Sequence, residues 1–448
     1  MSSRAKARDL TIMKSLINFN TFLFSGGEIL SKQKNILMNI VSETIKSCLP
    51  DNAVKMELTK NKLLLSSDNV ILVSIGKAAW RMARAAVDIL GDRIKKGIVI
   101  TKYNHSEGPI ERLEIYEAGH PLPDENTLKA TKRALELTTG LSEEDVVLFL
   151  ISGGGSALFE LPKNGISLEE LQDITNQLLK SGADIVEINT VRKHLSKVKG
   201  GRFAKHVYPA RIVSLILSDV LGDKLDSIAS GPTYPDSSTS EQALEIIKKY
   251  NVQVSQFVLE ALKEETPKQL VNVESHIIGS VKSACQKANE LAQSYGYNSL
   301  ILTTTLNCEA REAGKFLASI AREISENDRP LKKPAAIITG GETVVHVKGN
   351  GKGGRNQELA LSFAIKIAGS KNVALCSFGT DGTDGPTDAA GGIVDGETYL
   401  KIKQAGHKPE EFLENNDSYH ALKIAGDLLI TGPTGTNVND VVIMLIED

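Results

Sequence analysis

The stretch DVVLFLISGGGS, residues 145–156, decides the fold class. Its apolar part, residues 146–151, has the length of a strand, and a turn of serine and glycine follows it. The same order recurs along the chain: a β-branched apolar run, a turn rich in glycine, serine or aspartate, and then a helical stretch. This order predicts an α/β protein with mostly parallel sheets flanked by helices.

The repeated order forms two series of predicted strands. The first series contains residues 70–75, 97–101, 145–151 and 212–217. The second series contains residues 275–278, 299–303, 334–339 and 372–378. A connection rich in turn formers, residues 231–238, lies between them. We therefore expect two α/β domains, residues 1–245 and residues 246–448.

Length and composition narrow the class of protein. A chain of 448 residues is too long for one compact core, and 41% hydrophobic with 24% charged residues is a globular balance. The formal net charge of -3 gives no global attraction to nucleic acid or to an anionic membrane, so we expect neither as a partner. We also expect a cytoplasmic protein, because the N-terminal stretch has no clean apolar core for a secretory signal.

Glycine-rich turns after predicted strands are the clearest sign of a binding site. Glycine lets the backbone approach a bulky anion, and a following helix adds its positive end. Several such turns in one chain predict an extended ligand that carries phosphate groups. We expect the ligand to contact Ser152, Gly153, Gly154, Gly155, Ser156, Gly340, Gly341, Glu342, Gly353, Gly354 and Asn356.

Two cations occupy comparable places beside these turns. Lys77 follows Gly76 at a strand-to-helix junction, and Arg355 follows a glycine cluster at the start of a helix. An ammonium there points toward a bound anion, and a guanidinium can clamp phosphate oxygens with two bonds. The Walker A motif does not fit, because Ile71 and Ala78 stand where it needs glycine and Ser or Thr. A solvated lysine in the first helical turn remains the alternative for Lys77.

Carboxylates also follow predicted strands. Asp381 and Asp384 lie in the glycine-rich loop 379–388, and Asp219 follows the predicted strand 212–217. Mg²⁺ or another hard divalent cation takes one or two such carboxylates together with waters and ligand phosphates. We expect Asp381 and Asp384 to bind the metal, and ordinary Asp-Gly turn chemistry is the other interpretation.

A second motif keeps other functions open. Gly349, Gly351 and Gly354 satisfy the dinucleotide pattern G-x-G-x-x-G, but residues 343–347 before them have the pattern of a second hairpin arm. The motif leaves two alternatives: a nicotinamide-dependent hydroxypyruvate reductase and a non-catalytic nucleotide-binding sensor. The sequence has no HExxH and no G-x-S-x-G motif, which argues against zinc hydrolases and serine hydrolases.

Taken together, the chain resembles the type 2 glycerate kinases, the family whose C-terminal module is called MOFRL. The matching stretches follow one another over most of the chain. In this sequence they are SIGKAA (74–79), GHPLPD (119–124), SGGGSA (152–157), NTVRKHLS (189–196), KGGR (199–202), LSDV (217–220), SGPT (230–233), GGET (340–343), GGRNQE (353–358) and GTDGTDG (379–385).

The resemblance implies ATP-dependent phosphorylation of D-glycerate by a two-domain α/β enzyme. It also implies a Rossmann-like first domain, a divalent metal and an active site in the cleft between the domains. In that family the lysine of the SIGKAA stretch and the arginine of the GGRNQE stretch are regarded as active-site groups. They correspond to Lys77 and Arg355. Transfer to the 2-hydroxyl, giving 2-phospho-D-glycerate, is the expectation. The 3-hydroxyl and a homodimer are left open.

Phosphoryl transfer requires a protein to position two anionic reactants and to neutralise charge. We expect Lys77 and Arg355 to contact the transferring phosphoryl group or the glycerate carboxylate, and Asp219 to orient the attacking hydroxyl. The glycine turns and Mg²⁺ would hold the nucleotide phosphates. Asn189, Arg192 and Lys193 are further binding candidates. A solvated helix face is an equal alternative for Arg192 and Lys193.

Overall fold

The computed structural model describes residues 31–448, which divide into two compact units. The N-terminal unit contains Lys46–Ala284 and Gly435–Asn439. The C-terminal unit contains the described residues up to Ile45, Cys285–Thr434 and Asp440–Asp448. The predicted division at residue 245 therefore falls inside the N-terminal unit. The reason is that the strand after it pairs with the first sheet and not with the second.

Six parallel strands form the sheet of the N-terminal unit, in the order β3-β2-β1-β4-β5-β6. Strands β1 and β4 are buried at every position, as expected for a parallel sheet with both faces covered. The strand order reverses between β1 and β4, and ligands of doubly wound sheets collect at such a switch point. The strands are β1 Val70–Ile75, β2 Ile94–Lys102, β3 Leu113–Ala118, β4 Val146–Ile151, β5 Arg211–Leu217 and β6 Val273–Gly279.

Helices cover both faces of this sheet. Several begin at a side-chain cap, and the Ser167 hydroxyl accepts a hydrogen bond from the Glu170 amide, at the helix start that the sequence predicts. The helices that lie in this unit or reach into it are α1 Lys32–Ser47, α2 Pro50–Leu58, α3 Lys62–Ser66, α4 Ala79–Leu90, α5 Glu125–Leu137, α6 Gly155–Leu158, α7 Leu168–Lys180, α8 Ile185–Leu195, α9 Arg202–Val207, α10 Ser240–Lys249, α11 Gln256–Leu262 and α12 Val281–Ser294.

A six-stranded sheet also forms the centre of the C-terminal unit, in the order β11-β10-β9-β12-β8-β7. Strands β7, β8, β9 and β11 run in one direction, whereas β10 and β12 run in the other. Most strands of this sheet thus point the same way. Because β12 lies between β8 and β9, however, β7 and β8 are the only neighbouring strands of this sheet that are hydrogen-bonded in parallel. The strands are β7 Asn298–Leu306, β8 Ala335–Gly341, β9 Val373–Gly379, β10 Gly391–Asp395, β11 Leu428–Leu429 and β12 Asp440–Ile446.

The helices of the C-terminal unit pack on this sheet around one apolar core. Helix α14 is its centre, because nearly all of its first ten residues are buried. Within residues 31–448 no helix combines the length and the apolar character that crossing a membrane requires. The remaining helices and α14 are α13 Ala310–Asn327, α14 Arg355–Lys366, α15 Gly396–Gln404, α16 Pro409–Glu414 and α17 Ser418–Ala425.

Candidate active site

Residues 152–155, which we call the glycine turn, follow the end of β4 and contact the loop that follows β1. Ile75 and Ile151 are neighbours across the two strands, so the loops after them leave the sheet side by side. The Lys77 amide donates to the Gly153 carbonyl at 2.9 Å, and the Ala78 amide donates to the Ser152 hydroxyl at 3.1 Å. Any Cβ at Gly76 would overlap Ser152. The glycine is therefore required for this close approach.

Lys77 and His120 lie together over the glycine turn. The position that a Cβ on Gly154 would take is 2.9 Å from Cδ2 of His120 and 3.4 Å from Cε of Lys77. Both side chains are only partly exposed. Burial lowers the pKa of His120, and the charge of Lys77 lowers it further. His120 thus contributes a neutral imidazole beside the predicted lysine.

Asp219 lies against the neighbouring glycine of the same turn, Gly153. It follows the end of β5. Its carboxylate packs against Gly153, in the space that a Cβ on this residue would take. Its backbone carbonyl accepts a hydrogen bond from the Asn439 amide group at 3.0 Å. Three parallel strands thus deliver a lysine, a glycine turn and a carboxylate to one edge of the sheet, as the sequence predicts.

The candidates of helix α8 divide into two groups. Arg192 donates to the Ser156 carbonyl at 3.2 Å, so its guanidinium lies directly after the glycine turn. Asn189 accepts a hydrogen bond from the Ser230 hydroxyl at 3.3 Å, and that hydroxyl lies 3.2 Å from the Ser156 hydroxyl. Both candidates therefore lie at the turn where the sequence analysis placed the ligand.

Lys193 belongs to the other group. Its side chain is only 5% exposed, and its ammonium lies 3.1 Å from Asp236 and 3.6 Å from Asp226. The predicted alternatives were a substrate contact and a solvated helix face. A buried ammonium held by two carboxylates excludes the solvated helix face, and the substrate contact of Lys193 stays a prediction.

In the C-terminal unit, Arg355 at the start of α14 is held by two carboxylates. Its Nη1 donates to Glu342 at 2.8 Å, and its Nε and Nη2 lie 2.6 and 3.2 Å from the two oxygens of Asp440. Burial raises the pKa of Asp440 to about 6, against the opposing charge of Arg355. The sequence analysis missed Asp440, because nothing in the local pattern shows that β12 enters between β8 and β9.

Gly340 and Gly341 lie at the end of a strand and not in a turn. Both residues end β8 and pair with Val441 and Asp440 of β12, so their backbone belongs to the sheet. Their contact with the ligand stays a prediction. Only Glu342, which follows them, is partly exposed and reaches Arg355.

A pocket of about 710 Å³ opens beside Arg355 within the C-terminal unit. Three of the predicted site residues, Gly353, Gly354 and Asp381, contribute to its lining. The lining residues are Thr343, Val344, Val345, Val347, Gly351, Gly353, Gly354, Arg355, Glu358, Asp381, Thr383, Asp384, Gly385, Pro386 and Asn416.

The two predicted metal ligands differ in their surroundings. Both oxygens of Asp384 accept hydrogen bonds at the start of α14, from the amides of Asn356 at 3.1 Å and Gln357 at 2.9 Å. Asp384 thus stabilises a helix N-terminus, and it also holds the side chain of Asn356 at 3.4 Å. Asp384 and Asn356 thus use these atoms in hydrogen bonds within the fold. Asp381 is partly exposed, and its metal role stays a prediction.

Comparisons with known proteins agree with this geometry. Residues 36–263 match a family described as a domain of unknown function (DUF4147), and residues 335–440 match the MOFRL family. A D-glycerate 2-kinase of Thermotoga maritima is 64% identical over 92% of this chain and 98% of its own. The crystal structure of a glycerate kinase from the same organism superposes with a TM-score of 0.90 over 92% of this chain and 99% of that one.

A third relative has a different name. A chain of Agrobacterium vitis is 39% identical over 92% of this chain and 94% of its own. Its name assigns it provisionally to the hydroxypyruvate reductases. The two names describe different chemistry on related three-carbon acids, so the geometry of the site has to distinguish them.

Proposed function

The chain belongs to the glycerate kinases that carry a MOFRL domain, and on that premise we propose that it transfers the γ-phosphoryl group of ATP to the 2-hydroxyl of D-glycerate. The products are ADP and 2-phospho-D-glycerate. One observation carries this proposal: Lys77 and Asp219 both lie against the glycine turn, at the switch point of a doubly wound sheet. A lysine, backbone amides and a carboxylate are the groups that phosphoryl transfer needs.

We assign the acceptor chemistry to the N-terminal unit. Asp219 orients the 2-hydroxyl of glycerate and accepts its proton as the oxygen attacks the γ-phosphorus. The bond from that phosphorus to the bridging oxygen breaks, and the electron pair leaves with ADP. Lys77 donates to the anion at the glycine turn and offsets the charge that develops there. His120, which the sequence analysis had not assigned a role, excludes water from the side of the turn where Lys77 lies.

Arg355 of the C-terminal unit is the second cation of the proposal. Asp440 is buried and holds the guanidinium by two contacts, whereas Glu342 is 46% exposed. Glu342 is therefore the partner that an anionic phosphoryl oxygen replaces. The fork of the guanidinium then binds the phosphoryl group while Asp440 keeps it in place.

Magnesium is part of the proposal, and Asp381 is the residue that would hold it. Among residues 31–448 there is no group of three side chains arranged to hold a metal ion. Mg²⁺ in kinases does not need one, because it keeps several waters and binds one or two carboxylates and the nucleotide phosphates. When bound, the ion neutralises charge on the phosphates.

The reductase alternative finds less support in the same geometry. The dinucleotide fingerprint requires a strand that leads directly through the glycine turn into a helix. Here β8 ends at Gly341, and residues 342–354 without a strand separate it from α14. Residues 343–347 are not the predicted hairpin arm either, since only a single bridge joins Val344 to Glu309.

The experiment that tests the proposed function measures ADP release by the purified chain with ATP, Mg²⁺ and D-glycerate. We expect ADP to form only when glycerate is present. Binding of ATP without any release of ADP when glycerate is added would contradict the proposal and favour the non-catalytic sensor. Oxidation of NADH or NADPH on addition of hydroxypyruvate, with no ATP present, would identify the reductase.

A further inference from the structure

A fully buried ion pair lies behind the glycine turn. The side chains of Lys199 and Glu160 are both 0% exposed, and Nζ of the lysine lies 3.4 Å from Oε2 of the glutamate. Burial lowers the pKa of Lys199 to about 8, although the charge of Glu160 opposes this effect. Burying two such charges usually stabilises a fold less than an apolar pair of similar size would. The pair therefore calls for an explanation other than stability.

The contacts of Lys199 supply that explanation. Its ammonium donates to the carbonyl of Ser156 at 2.7 Å and to the carbonyl of Phe159 at 3.0 Å. The Ser156 carbonyl belongs to the single helical turn α6, and Phe159 is the residue that caps its C-terminus; this helical turn starts at Gly155, the last residue of the glycine turn. Carbonyls at the end of so short a helix lack partners within it. Lys199 satisfies them, so the peptide groups that follow the glycine turn have one fixed direction.

The backbone around Lys199 is itself held in place. The amides of Gly200 and Gly201 donate to the carbonyls of Ser230 and Gly231, at 3.0 and 2.7 Å. Gly200 has a φ of +55°, and a Cβ there would lie 3.2 Å from a methyl group of Thr266. Lys199 thus extends from a rigid segment to α6.

We propose that Lys199 is a positioning residue for the phosphoryl transfer: it acts through the Ser156 carbonyl to fix the glycine turn beside Lys77. The inference rests on the proposed function, but the position of the turn can be measured without substrate. Lys199 does not touch the reactants in this account. Its loss displaces the turn, and a displacement of about 1 Å at a reacting centre can cost about 100-fold in rate.

The test compares Lys199→Met and the double variant Lys199→Met/Glu160→Leu with wild type. The double variant replaces the pair by apolar groups, so that folding does not suffer from an unpaired buried carboxylate. Lys34→Met is the matched control. Lys34 is another buried lysine, with contacts of 2.6 Å to Asp427 and 3.2 Å to Asp395, but it belongs to the C-terminal unit and touches no glycine turn.

We expect kcat with ATP and D-glycerate to fall by about 30-fold or more in the double variant, with KM changed by less than about fivefold. Amide hydrogen exchange in a peptide covering residues 150–160 should become faster in the substrate-free double variant and stay unchanged in Lys34→Met. A folded double variant with kcat within about threefold of wild type, or with unchanged exchange in this peptide, overturns the inference. If wild type itself does not phosphorylate glycerate, the proposed function fails. The exchange experiment alone then tests whether Lys199 fixes the position of the glycine turn.

Discussion

Lys77 is the residue on which the N-terminal part of the proposed site depends. Replacing it by alanine removes the ammonium over Gly154 and leaves the buried strand β1 intact. We expect kcat/KM to fall by about 100-fold or more, the usual effect of losing a charge-stabilising donor. The control is Lys96→Ala, at an exposed position of β2, which should keep wild-type kinetics. Near-native turnover of Lys77→Ala, with an unchanged circular dichroism spectrum, would remove Lys77 from the mechanism.

Asp381 carries the metal prediction. Replacing it by asparagine keeps the size of the side chain and removes the charge that would attract Mg²⁺. We expect the Mg²⁺ concentration for half-maximal activity to rise by about tenfold, with activity largely recovered at saturating Mg²⁺. The measurement is a Mg²⁺ titration of initial rate for wild type and variant. Identical titration curves would exclude Asp381 as a metal ligand.

Asp440 predicts a pH dependence of stability. Its pKa is raised to about 6 by burial, so the folded chain binds this proton more tightly than the unfolded chain does. Its contribution to stability is therefore fully present at low pH and is lost as the pH rises through about 6. Asp440→Asn does not titrate. From pH 4 to pH 7 the stability of wild type should decline relative to the variant by about 1 to 3 kcal/mol.

The check is urea unfolding of both proteins across this pH range. Groups that do not interact with residue 440 titrate alike in the two proteins, so their contribution cancels in the difference. A difference in unfolding free energy that does not change with pH would show that burial does not raise the pKa of Asp440. If wild type instead becomes more stable relative to the variant as the pH rises, the charge of Arg355 lowers the pKa of Asp440 by more than burial raises it.

At the scale of the element, the glycine turn is the feature whose geometry matters most. Gly154 has a φ of +85°, and a Cβ there would press on His120 and Lys77. Gly182 has a φ of +80° but faces open space. Alanine at either position should lower the free energy of unfolding by about 1 to 2 kcal/mol, because both adopt a left-handed conformation. Only Gly154→Ala should also lower kcat/KM, by about tenfold or more, since only it displaces the site.

This pair of variants separates backbone strain from function. The measurements are thermal or urea unfolding and steady-state kinetics of the two variants. Equal losses of kcat/KM in Gly154→Ala and Gly182→Ala would show that the kinetic effect comes from lost stability. Unchanged kinetics in both would show that the glycine turn does not contact the reactants.

Several elements of the N-terminal unit could be predicted from the sequence because each is specified locally. The apolar runs at 70–75 and 146–151 are β1 and β4. Ser167 with Glu170 three residues later is a capping-box pattern that predicts a helix over 168–179, and α7 is one residue longer. The pattern of residues 184–197 predicts a second helix, which ends earlier, at Leu195. The parallel sheet follows from the repeated order of strand, turn and helix, since parallel strands need crossover connections.

The C-terminal unit shows where sequence reasoning stops. Strand β12 lies at the end of the chain and pairs with two strands that precede it by many residues. No local pattern specifies that pairing, because it depends on which strand edges the rest of the fold leaves free. Asp440 and the sheet role of Gly340 and Gly341 both follow from β12. The missed residue and the extension of β8 through the two glycines thus have one physical cause.

At the scale of the whole molecule, the proposed chemistry draws on both units. Lys77, Asp219 and the glycine turn belong to the N-terminal unit, and Arg355 and Asp381 belong to the C-terminal unit. Lys77, Asp219 and Asp381 follow the ends of strands, whereas Arg355 follows a glycine cluster at the start of α14, and the predictions for both groups rest on these local patterns. The boundary between the two units was harder to predict than these groups. The local pattern of β6 is the same as that of a strand that opens a new sheet, although β6 pairs with β5.

The central claim is that this chain phosphorylates D-glycerate at the 2-hydroxyl and uses both cations to do so. The most direct measurement is phosphorus-31 NMR of the product formed from ATP, Mg²⁺ and D-glycerate by wild type, Lys77→Ala and Arg355→Ala. We predict that wild type gives a phosphate resonance coupled to the single proton on C2, and that each variant gives almost none in the same time. A phosphate coupled to the two protons on C3, no product from wild type, or wild-type product from either variant would contradict the account.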